Sequence, residues 1–229
     1  MLSGSGNKAA VSALAALLVV AALGYWGYSG YKKLELRDTI VALVKDASRR
    51  FEGALAMEAG RASADNAQAV QKLDEHAQEV DRHVIELRGL ALWRDRVLAE
   101  AAEDYLLTVR EVLRKQAASH RYGIQVAAGE AALREFMRGA NRRSRTWMDE
   151  AVREKDRLEK DYFDYRLSAD AFARLLEAYP ESRQKLAAEI PAAPLAADDA
   201  VQAARERAVQ NSRRAESEMQ QIRQLAAVR

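Results

Sequence analysis

The stretch VQKLDEHAQEVDRHVIELRGLALWRDRVLAEAAEDYLLTVREV, residues 70–112, carries the most regular pattern in this chain. Its apolar positions recur in alternating steps of three and four residues, the repeat of a helix that packs lengthwise against its neighbours. We call this series the seam, and it consists of Val70, Leu73, Ala77, Val80, Val84, Leu87, Ala91, Arg94, Leu98, Ala101, Tyr105, Thr108 and Val112. The seam predicts one long helix over residues 64–119, in which Gly89 marks a bend because glycine weakens a helix interior.

Weaker helical repeats flank the seam on both sides. Before it, apolar residues from Leu36 to Leu55 follow the same spacing and predict a first helix. That helix is expected to fade near residues 60–63, with Ser63 as the start of the next one. After the seam, residues 120–123 are typical of a turn, and a third helix is expected over residues 121–167.

The C-terminal part of the chain contains all three prolines. Ser168 is expected to open a short helix that Pro180 ends, because proline removes a helical hydrogen bond. The other two prolines mark a Pro/Ala linker over residues 187–197, and a C-terminal amphipathic helix follows over residues 198–229. No alternating strand pattern occurs, so the predicted fold class is all-α, an elongated antiparallel helical bundle or coiled coil.

The N-terminal stretch, residues 9–31, holds no charged residue. As a helix, its 23 residues would measure about 34 Å, enough to cross a hydrocarbon layer of about 30 Å. Tyr25, Trp26, Tyr28 and Tyr31 occupy its C-terminal end, and such rings collect at membrane–water boundaries. The sequence therefore predicts a single N-terminal transmembrane helix that continues into the bundle.

Two alternatives remain open for this stretch. A secretory signal peptide would need a cleavage site, and residues 22–24 have the required pattern of small side chains at the first and third positions. A buried core helix would need apolar neighbours, which the remaining sequence offers only sparsely. If the stretch spans a membrane, the lysines and arginines that follow it favour a cytoplasmic over a periplasmic body.

The predicted organisation has five segments. They are a short N-terminal tail (1–8), the transmembrane helix (9–31), the helical bundle (32–186), the linker (187–197) and the C-terminal helix (198–229). The chain crosses the membrane once in this organisation, because no second charge-free stretch of that length occurs.

Composition narrows the possible chemistry. The chain has no cysteine, which excludes disulfides, thiolate metal sites and a cysteine nucleophile. Its formal net charge of +2 disfavours nucleic acid as a partner. Glycine-rich phosphate loops, GxSxG elbows and HExxH zinc motifs do not occur in the sequence. The sequence therefore predicts no catalytic residues, no cofactor and no enzyme activity.

One group of residues has the composition of a metal site. His76, Glu79, His83 and Glu86 lie on one face of a helix, and histidine and carboxylate bind zinc or iron. They flank the seam rather than belong to it. We therefore interpret them as a solvated helix edge and predict no metal site.

Arginines supply two candidate interaction features. Arg134, Arg138, Arg142 and Arg145 form a basic stripe along the predicted third helix, which suits phosphate but also the acidic residues that follow. Arg94 is the one charge in the seam. A buried charge needs an acidic partner or, failing that, an anionic ligand.

Aromatic residues and one amide supply the remaining candidates. Tyr162, Tyr165 and Phe172 would either line a ligand pocket between helices or close the end of a bundle. Asn211 interrupts the weak apolar stripe of the last helix, as polar residues do where they set register in coiled coils. That helix is a candidate for self-association or partner binding, and a docked bundle helix is the alternative.

These observations favour a membrane-anchored helical scaffold or protein-interaction protein without catalytic activity. Its expected partners are membrane lipid, through residues 9–31, and a protein or a second copy of the chain, through helical faces. The alternative is a ligand- or signal-sensing helical bundle tethered to the membrane. A pocket of about 300 Å³ or more with convergent polar groups would favour sensing, whereas a filled bundle would favour the scaffold.

Overall fold

The computed structural model describes residues 6–57, 62–138 and 145–227, and for residues 6–23, 25, 64, 145 and 225–227 it describes the backbone alone. Five α-helices form nearly all of this part of the chain: α1 (Gly6–Ala56), α2 (Ala67–Gly89), α3 (Arg96–Arg138), α4 (Arg145–Glu189) and α5 (Asp198–Ala227). Two 3-10 turns, Ala64–Asn66 and Leu92–Arg94, precede α2 and α3. No strand occurs among the described residues, and the all-α prediction is confirmed.

α1 is one unbroken helix of 51 residues with two different halves. We call residues 6–35 its free half and residues 36–56 its packed half. In the packed half the predicted apolar stripe is buried, and Ile40 and Phe51 are fully covered. No described side chain of the free half is buried. The predicted first helix is therefore confirmed, and it continues without a break from the charge-free stretch.

The predicted long helix over residues 64–119 is wrong. Ser63 does cap a helical start, since its hydroxyl accepts a 3.1 Å hydrogen bond from the Asp65 backbone N–H. However, α2 ends at Gly89, where Leu90 turns to an extended conformation with φ −81° and ψ 164°. The chain then makes a short connection before α3 begins.

α2 and α3 form an antiparallel hairpin. Arg88 pairs with Glu103 near its tip, and Arg121 pairs with Asp74 far from it. The seam is buried in both helices at Leu73, Ala77, Val80, Val84, Leu87, Leu98, Ala101, Tyr105 and Val112. The turn was not predicted because the connection keeps the three–four spacing in phase. Periodicity reports which face is buried, not the direction of the chain.

α3 continues without interruption through His120 and Gly123, so the turn predicted there is wrong. Both residues are buried inside the helix. Further along, Gly129 lets α4 approach closely, because a Cβ atom on it would stand 3.0 Å from Leu158 Cδ1 and 3.2 Å from Asp161 Oδ2. Small residues that are typical of a turn provide packing space here.

α4 also continues through two predicted boundaries. Ser168 is buried inside it rather than opening a new helix, and Pro180 lies inside it without ending it. Proline at this position forgoes one backbone hydrogen bond. Buried Leu176 and Leu186 hold the helix to the core on both sides of the proline, which explains why the helix continues.

The final helix is docked on the bundle. A linker of residues 190–197, inside the predicted range, joins it to α4. Val201 and Ala208 of α5 belong to the core, and Arg207 donates a 2.8 Å hydrogen bond to the Leu55 carbonyl of α1. The structure thus has the docked arrangement that was the alternative to a separate interaction helix.

Buried side chains form two clusters. The main core combines all five helices and contains the largest buried rings, Phe51, Tyr105 and Tyr179. α1 ends and α2 begins near the level of Gln116, which donates a 2.8 Å hydrogen bond to the Ala54 carbonyl. Beyond that level α3, α4 and α5 continue alone around the distal core, which consists of Val126, Leu158, Tyr162, Tyr165, Ala215 and Met219. The bundle therefore has five helices at one end and three at the other.

No helix in the part of the chain described with side chains combines the length and the apolar character that a membrane span requires. The charge-free stretch at residues 9–31 forms part of α1, but its side chains up to residue 23 lie outside that description. The predicted span therefore stays a prediction.

Candidate functional site

A small polar pocket lies in the distal core between α3, α4 and α5. Its volume is about 190 Å³, and its lining residues are Ala62, Glu130, Tyr162, Tyr165, Asn211, Arg214, Ala215 and Glu218. Tyr162 and Tyr165 are three residues apart on α4, and Asn211 and Ala215 are four apart on α5, so each pair shares a helix face. The pocket thus brings together three residues that the sequence singled out, Tyr162, Tyr165 and Asn211.

Tyr162 joins two helices at one side of the pocket. Its hydroxyl donates a hydrogen bond to the Glu130 carboxylate of α3. Burial, together with that hydrogen bond and the charges of Glu130 and Glu218, raises the pKa of Tyr162 well above its ordinary value. The other Glu130 oxygen lies 3.1 Å from Arg134. The phenol is therefore a neutral donor, and the carboxylate is engaged on both oxygens.

The Tyr165 hydroxyl is the unsatisfied group of the pocket. It is buried without a hydrogen-bond partner among the described residues, and the residue is only 3% exposed. Burial raises the pKa of Tyr165, and the positive charge of Arg214 opposes that rise. A buried hydroxyl without a partner costs about 1–3 kcal/mol. A small polar molecule bonded to this hydroxyl would recover part of that cost.

Two other candidate residues lie elsewhere. Phe172 belongs to the main core, so the predicted grouping with Tyr162 and Tyr165 is wrong. Arg94 lies at the tip of the α2–α3 hairpin, half-buried, with its guanidinium carbon 4.5 Å from the centroid of the Trp93 ring. It does not place a charge inside a buried seam, so the expectation of an anionic ligand that neutralises a buried arginine no longer holds.

Of the four arginines of the predicted stripe, Arg134 and Arg138 lie on α3, whereas Arg145 begins α4. Arg134 pairs with Glu130 at 3.1 Å on α3, and Arg138 pairs with Glu135 at 3.8 Å at the end of the same helix. Arg142 lies outside the described residues, and so does the side chain of Arg145, the first residue of α4. Arg134 and Arg145 therefore lie on different helices rather than on one predicted third helix, and phosphate binding by these arginines stays a prediction.

The histidine edge of α2 is tied to α1. His83 Nε2 lies 2.9 Å from Asp46 Oδ2, and the same carboxylate is held by Arg49 at 2.5 Å and Arg50 at 2.6 Å. Burial opposes ionisation of Asp46, but hydrogen bonds from Arg50 and His83 outweigh it and hold the pKa of Asp46 well below its ordinary value. Within the described ranges, no three histidine or carboxylate side chains are placed to hold a metal ion. This cluster fastens one helix to another.

A second charge cluster lies at the end of the bundle opposite the distal core, where the free half of α1 emerges. The Asp95 carboxylate lies 3.3 Å from Lys33 Nζ and 3.7 Å from Arg37 Nη1, which ties the hairpin tip to α1. Arg37 Nη2 also donates a 2.7 Å hydrogen bond to the carbonyl of Glu189, the last residue of α4. Trp93, close to Asp95, is 71% exposed. Sequence reasoning missed this cluster, because a repeat along one helix does not tell which distant turn it meets.

A wider groove of about 570 Å³ runs between α3 and α4 beside Gly129. It contains charges of both signs, from Arg157, Lys160, Asp161 and Asp164. Burial raises the pKa of Asp161. None of the described side chains that line the groove has a buried polar atom without a partner. The pocket at Tyr165, which does contain such an atom, is therefore the stronger candidate site.

No protein-family model, no curated protein and no solved structure matches this chain. The functional inference therefore depends on the residues and the geometry described above.

Proposed function

We propose that this chain is a membrane-anchored helical scaffold that binds protein partners through its helical surfaces and has no catalytic activity. The observation that carries the proposal is the unbroken course of α1. Its packed half belongs to the main core, whereas its free half leaves the bundle and includes the charge-free residues 9–31. A helix satisfies its own backbone hydrogen bonds in lipid, so this half would hold the bundle at a fixed distance from the bilayer.

The main core supports a structural role. Ser48 Oγ and the Tyr105 hydroxyl lie 2.7 Å apart, and the Tyr105 and Tyr179 hydroxyls lie 3.2 Å apart. Burial raises the pKa of Tyr105 and also that of Tyr179, so both phenols stay neutral. These hydroxyls bond to one another, and such networks lock helices in one arrangement.

α4 offers a surface for a protein partner. Val152, Phe163 and Leu167 are exposed, and their spacing places them on one face of the helix. Phe163 also borders a depression of about 320 Å³ that contains Glu159 of α4 and Arg223 of α5. Apolar residues bordered by charges have the composition of a protein interface. Either a different protein or a second copy of this chain would fit this face.

For the orientation, we propose that the bundle is cytoplasmic. Lys32 and Lys33 follow the charge-free stretch at once, and four further basic residues occur up to Arg50. Positive charge near a span is retained on the cytoplasmic side. Because the chain has no cysteine, a single Gln220→Cys variant can report the side. A membrane-impermeant maleimide should label it in lysed but not in intact cells, and labelling in intact cells would contradict this orientation.

Membrane fractionation tests the anchor. The full-length chain is expected to stay in the membrane pellet after a sodium carbonate wash. A Leu17→Lys/Val20→Lys variant should move to the supernatant, because each lysine at the centre of a span costs about 3 kcal/mol. Ile85→Lys makes the same kind of change at an exposed site of α2 and should leave the distribution unchanged. Release of the unaltered chain by carbonate would contradict the anchor.

Crosslinking in native membranes tests the scaffold. The unaltered chain should capture a discrete partner or a second copy of itself. A Phe163→Glu/Leu167→Glu variant should lose that product, because the charges oppose burial of this face. Ile85→Glu is the control, since Ile85 is exposed on a different helix. Equal capture by both variants would remove the α4 face from the proposal.

A second candidate function, sensing of a small ligand by the tethered bundle, is favoured by the unpartnered hydroxyl of Tyr165. The pocket of about 190 Å³ falls below the roughly 300 Å³ of an ordinary ligand site, so such a ligand would contain few atoms. Native mass spectrometry of the chain in mild detergent should then detect a small adduct. Tyr165→Phe should lose it, and Tyr122→Phe, a matched change outside the pocket lining, should keep it. A spectrum without any adduct would favour the scaffold.

A further inference from the structure

We infer that the tip of the α2–α3 hairpin, residues 90–95, is a second membrane-contact site that lies in the headgroup layer of the bilayer. The ligand is phospholipid, with the Trp93 ring at the boundary of the acyl chains and the Arg94 guanidinium at a headgroup phosphate. The inference rests on the proposed function, because it takes residues 9–31 as the span. It concerns a different element of the fold, so the membrane contact of the tip and the membrane anchor can be refuted separately.

The height of the tip along α1 follows from two ion pairs. Asp95 contacts Lys33 at 3.3 Å and Arg37 at 3.7 Å, so the tip lies beside the turn of α1 that contains these residues. Lys33 is two residues beyond Tyr31, which corresponds to about 3 Å along a helix axis. Trp93 is two residues from Asp95, at most about 7 Å of chain. If Tyr31 marks the edge of the span, Trp93 therefore lies close to the headgroup layer.

The side chains of the tip have the composition of a membrane boundary. Trp93 is 71% exposed, and Val97, in the first turn of α3, is 63% exposed, so no described part of the chain covers either one. The Arg94 guanidinium carbon lies 4.5 Å from the centroid of the Trp93 ring. An indole with a cation beside it suits a boundary where an apolar ring meets acyl carbons and a positive charge meets phosphate.

The charges of the tip itself suit an anionic surface. The Asp95 carboxylate has a side chain only 10% exposed and is already paired with Lys33 and Arg37, so it presents little negative charge to the outside. Arg96 is largely exposed and pairs with Glu100 at 2.6 Å on the side of α3. Arg94, for which the described residues provide no carboxylate partner, is therefore the cation available to phosphate.

The tip is held in place before it meets any membrane. Leu90 and Leu92 pack, partly buried, against the main core. Arg37 joins the same turn of α1 to the end of α4 through the Glu189 carbonyl at 2.7 Å. The tip and α1 therefore move as one body, and a second contact on a rigid body binds at high effective concentration once the first is made. Two contacts would also fix the tilt of the bundle over the bilayer.

The three tryptophans of the chain provide the test. Variants that keep one tryptophan and carry phenylalanine at the other two place a single fluorophore at Trp26, in the proposed span, at Trp93, in the tip, or at Trp147. Trp147 stacks on Phe136 with ring centroids 5.4 Å apart. It lies about 60 Å of helix away from the tip. Each full-length variant is reconstituted in vesicles of phosphatidylcholine and phosphatidylglycerol, with or without brominated acyl chains.

Brominated chains quench indoles that they touch. The fluorescence intensity of Trp26 and of Trp93 is expected to fall about twofold or more, since both lie at or within the bilayer boundary. Trp147 should be unchanged. Introduction of Arg94→Glu should reduce the quenching of Trp93, whereas Arg138→Glu, the same change near the far end of α3, should not. Circular dichroism of each variant verifies that helix content is retained.

The outcomes separate the two claims. Quenching of Trp26 without quenching of Trp93 overturns the inference and leaves the anchor standing. A Trp26 that is not quenched overturns the anchor. Equal quenching of Trp147 and Trp93 shows adsorption along the whole bundle, which also overturns a specific site at the tip. A Trp93 that is shielded from acrylamide in native membranes, yet not quenched by brominated lipid, assigns the tip to a protein partner instead.

Discussion

The main core and the distal core are built from the same kind of helix, yet they treat their buried hydroxyls differently. In the main core, Tyr105 bonds to both Ser48 and Tyr179, so α1, α3 and α4 are joined by one polar chain. In the distal core, Tyr162 bonds to Glu130, but the Tyr165 hydroxyl has no partner in the described part of the chain. Around these three main-core hydroxyls, the five helices supply both coverage and hydrogen-bond partners. Three helices supply less of each, which leaves a polar pocket.

The largest expected difference between the two cores is in the cost of a cavity. Leu113→Ala in the main core should lower the free energy of unfolding by about 4 kcal/mol, because its neighbours are held on all sides. Leu158→Ala, the same change in the distal core, should cost about 2 kcal/mol, since only three helices surround it and they can relax into the space. Urea unfolding in mild detergent measures both, and equal losses would show that the cores are equally rigid.

The boundary between the cores should be sensitive to acid. His120 is 1% exposed, neither ring nitrogen has a partner among the described residues, and burial lowers its pKa from 6.5 to about 4. At neutral pH His120 is uncharged in both the folded and the unfolded state, so its titration does not change the free energy of unfolding. As the pH falls through 6.5, the unfolded state gains the proton first, and stability declines until about pH 4.

This decline should reach about 2 kcal/mol near pH 5. His120→Met keeps a similar volume without a titrating group, so its free energy of unfolding should depend less on pH over this range. Urea midpoints measured at several pH values give the comparison. An identical pH dependence in the variant would assign the acid sensitivity to other groups.

The sequence predicts faces better than it predicts connections. The buried stripe of α1 and most buried positions of the seam follow from local spacing, and the structure confirms them. The Pro/Ala linker was expected from proline chemistry, and residues 190–197 between α4 and α5 lie inside its predicted range. The hairpin at Gly89 does not follow, because the seam stays in phase across the turn. Gly123 and Pro180 are typical of turns in isolation. Buried neighbours on adjacent helices override that preference in this fold.

The pocket was partly predictable for a similar reason. Tyr162 and Tyr165 share a face by spacing alone, and Asn211 is conspicuous as a polar residue in an apolar stripe. Glu130 and Arg214 lie on two different helices, and no local motif connects them with the tyrosines. Which helices become neighbours depends on the hairpin at Gly89 and on the course of α3 beyond residue 123. Neither could be obtained from periodicity, and self-association through Asn211 stays a prediction.

A matched pair of tyrosine substitutions sharpens the comparison. Tyr105→Phe removes a hydroxyl that bonds to Ser48 and Tyr179, so it should lower the free energy of unfolding by about 1.5 kcal/mol. Tyr165→Phe removes a hydroxyl without a protein partner, so stability should be unchanged or slightly higher. Urea unfolding of both variants at neutral pH provides the measurement. A similar loss in both would mean that Tyr165 is bonded in solution and that the pocket is occupied.

The smallest expected effects come from two glycines, one beside each core. Replacing glycine by alanine in a helix interior raises the free energy of unfolding by about 1 kcal/mol, because alanine has the higher helix propensity. At Gly53, on the exposed side of the packed half of α1, an added Cβ would meet nothing within 4 Å, so Gly53→Ala should show that full gain. At Gly129 the Cβ would stand 3.0 Å from Leu158 Cδ1 and 3.2 Å from Asp161 Oδ2, and both side chains would have to move.

Gly129→Ala should therefore gain less than Gly53→Ala, with a net change near zero, since the displaced atoms are ends of side chains rather than backbone. The difference in urea midpoint between the two variants measures how easily α4 yields at this contact. A gain at Gly129 equal to that at Gly53 would show that the α3–α4 contact in the distal core is loose. A loss of about 2 kcal/mol or more, the cost of overpacking, would show a contact as tight as those of the main core, and the contrast between the two ends would then rest on hydrogen bonding alone.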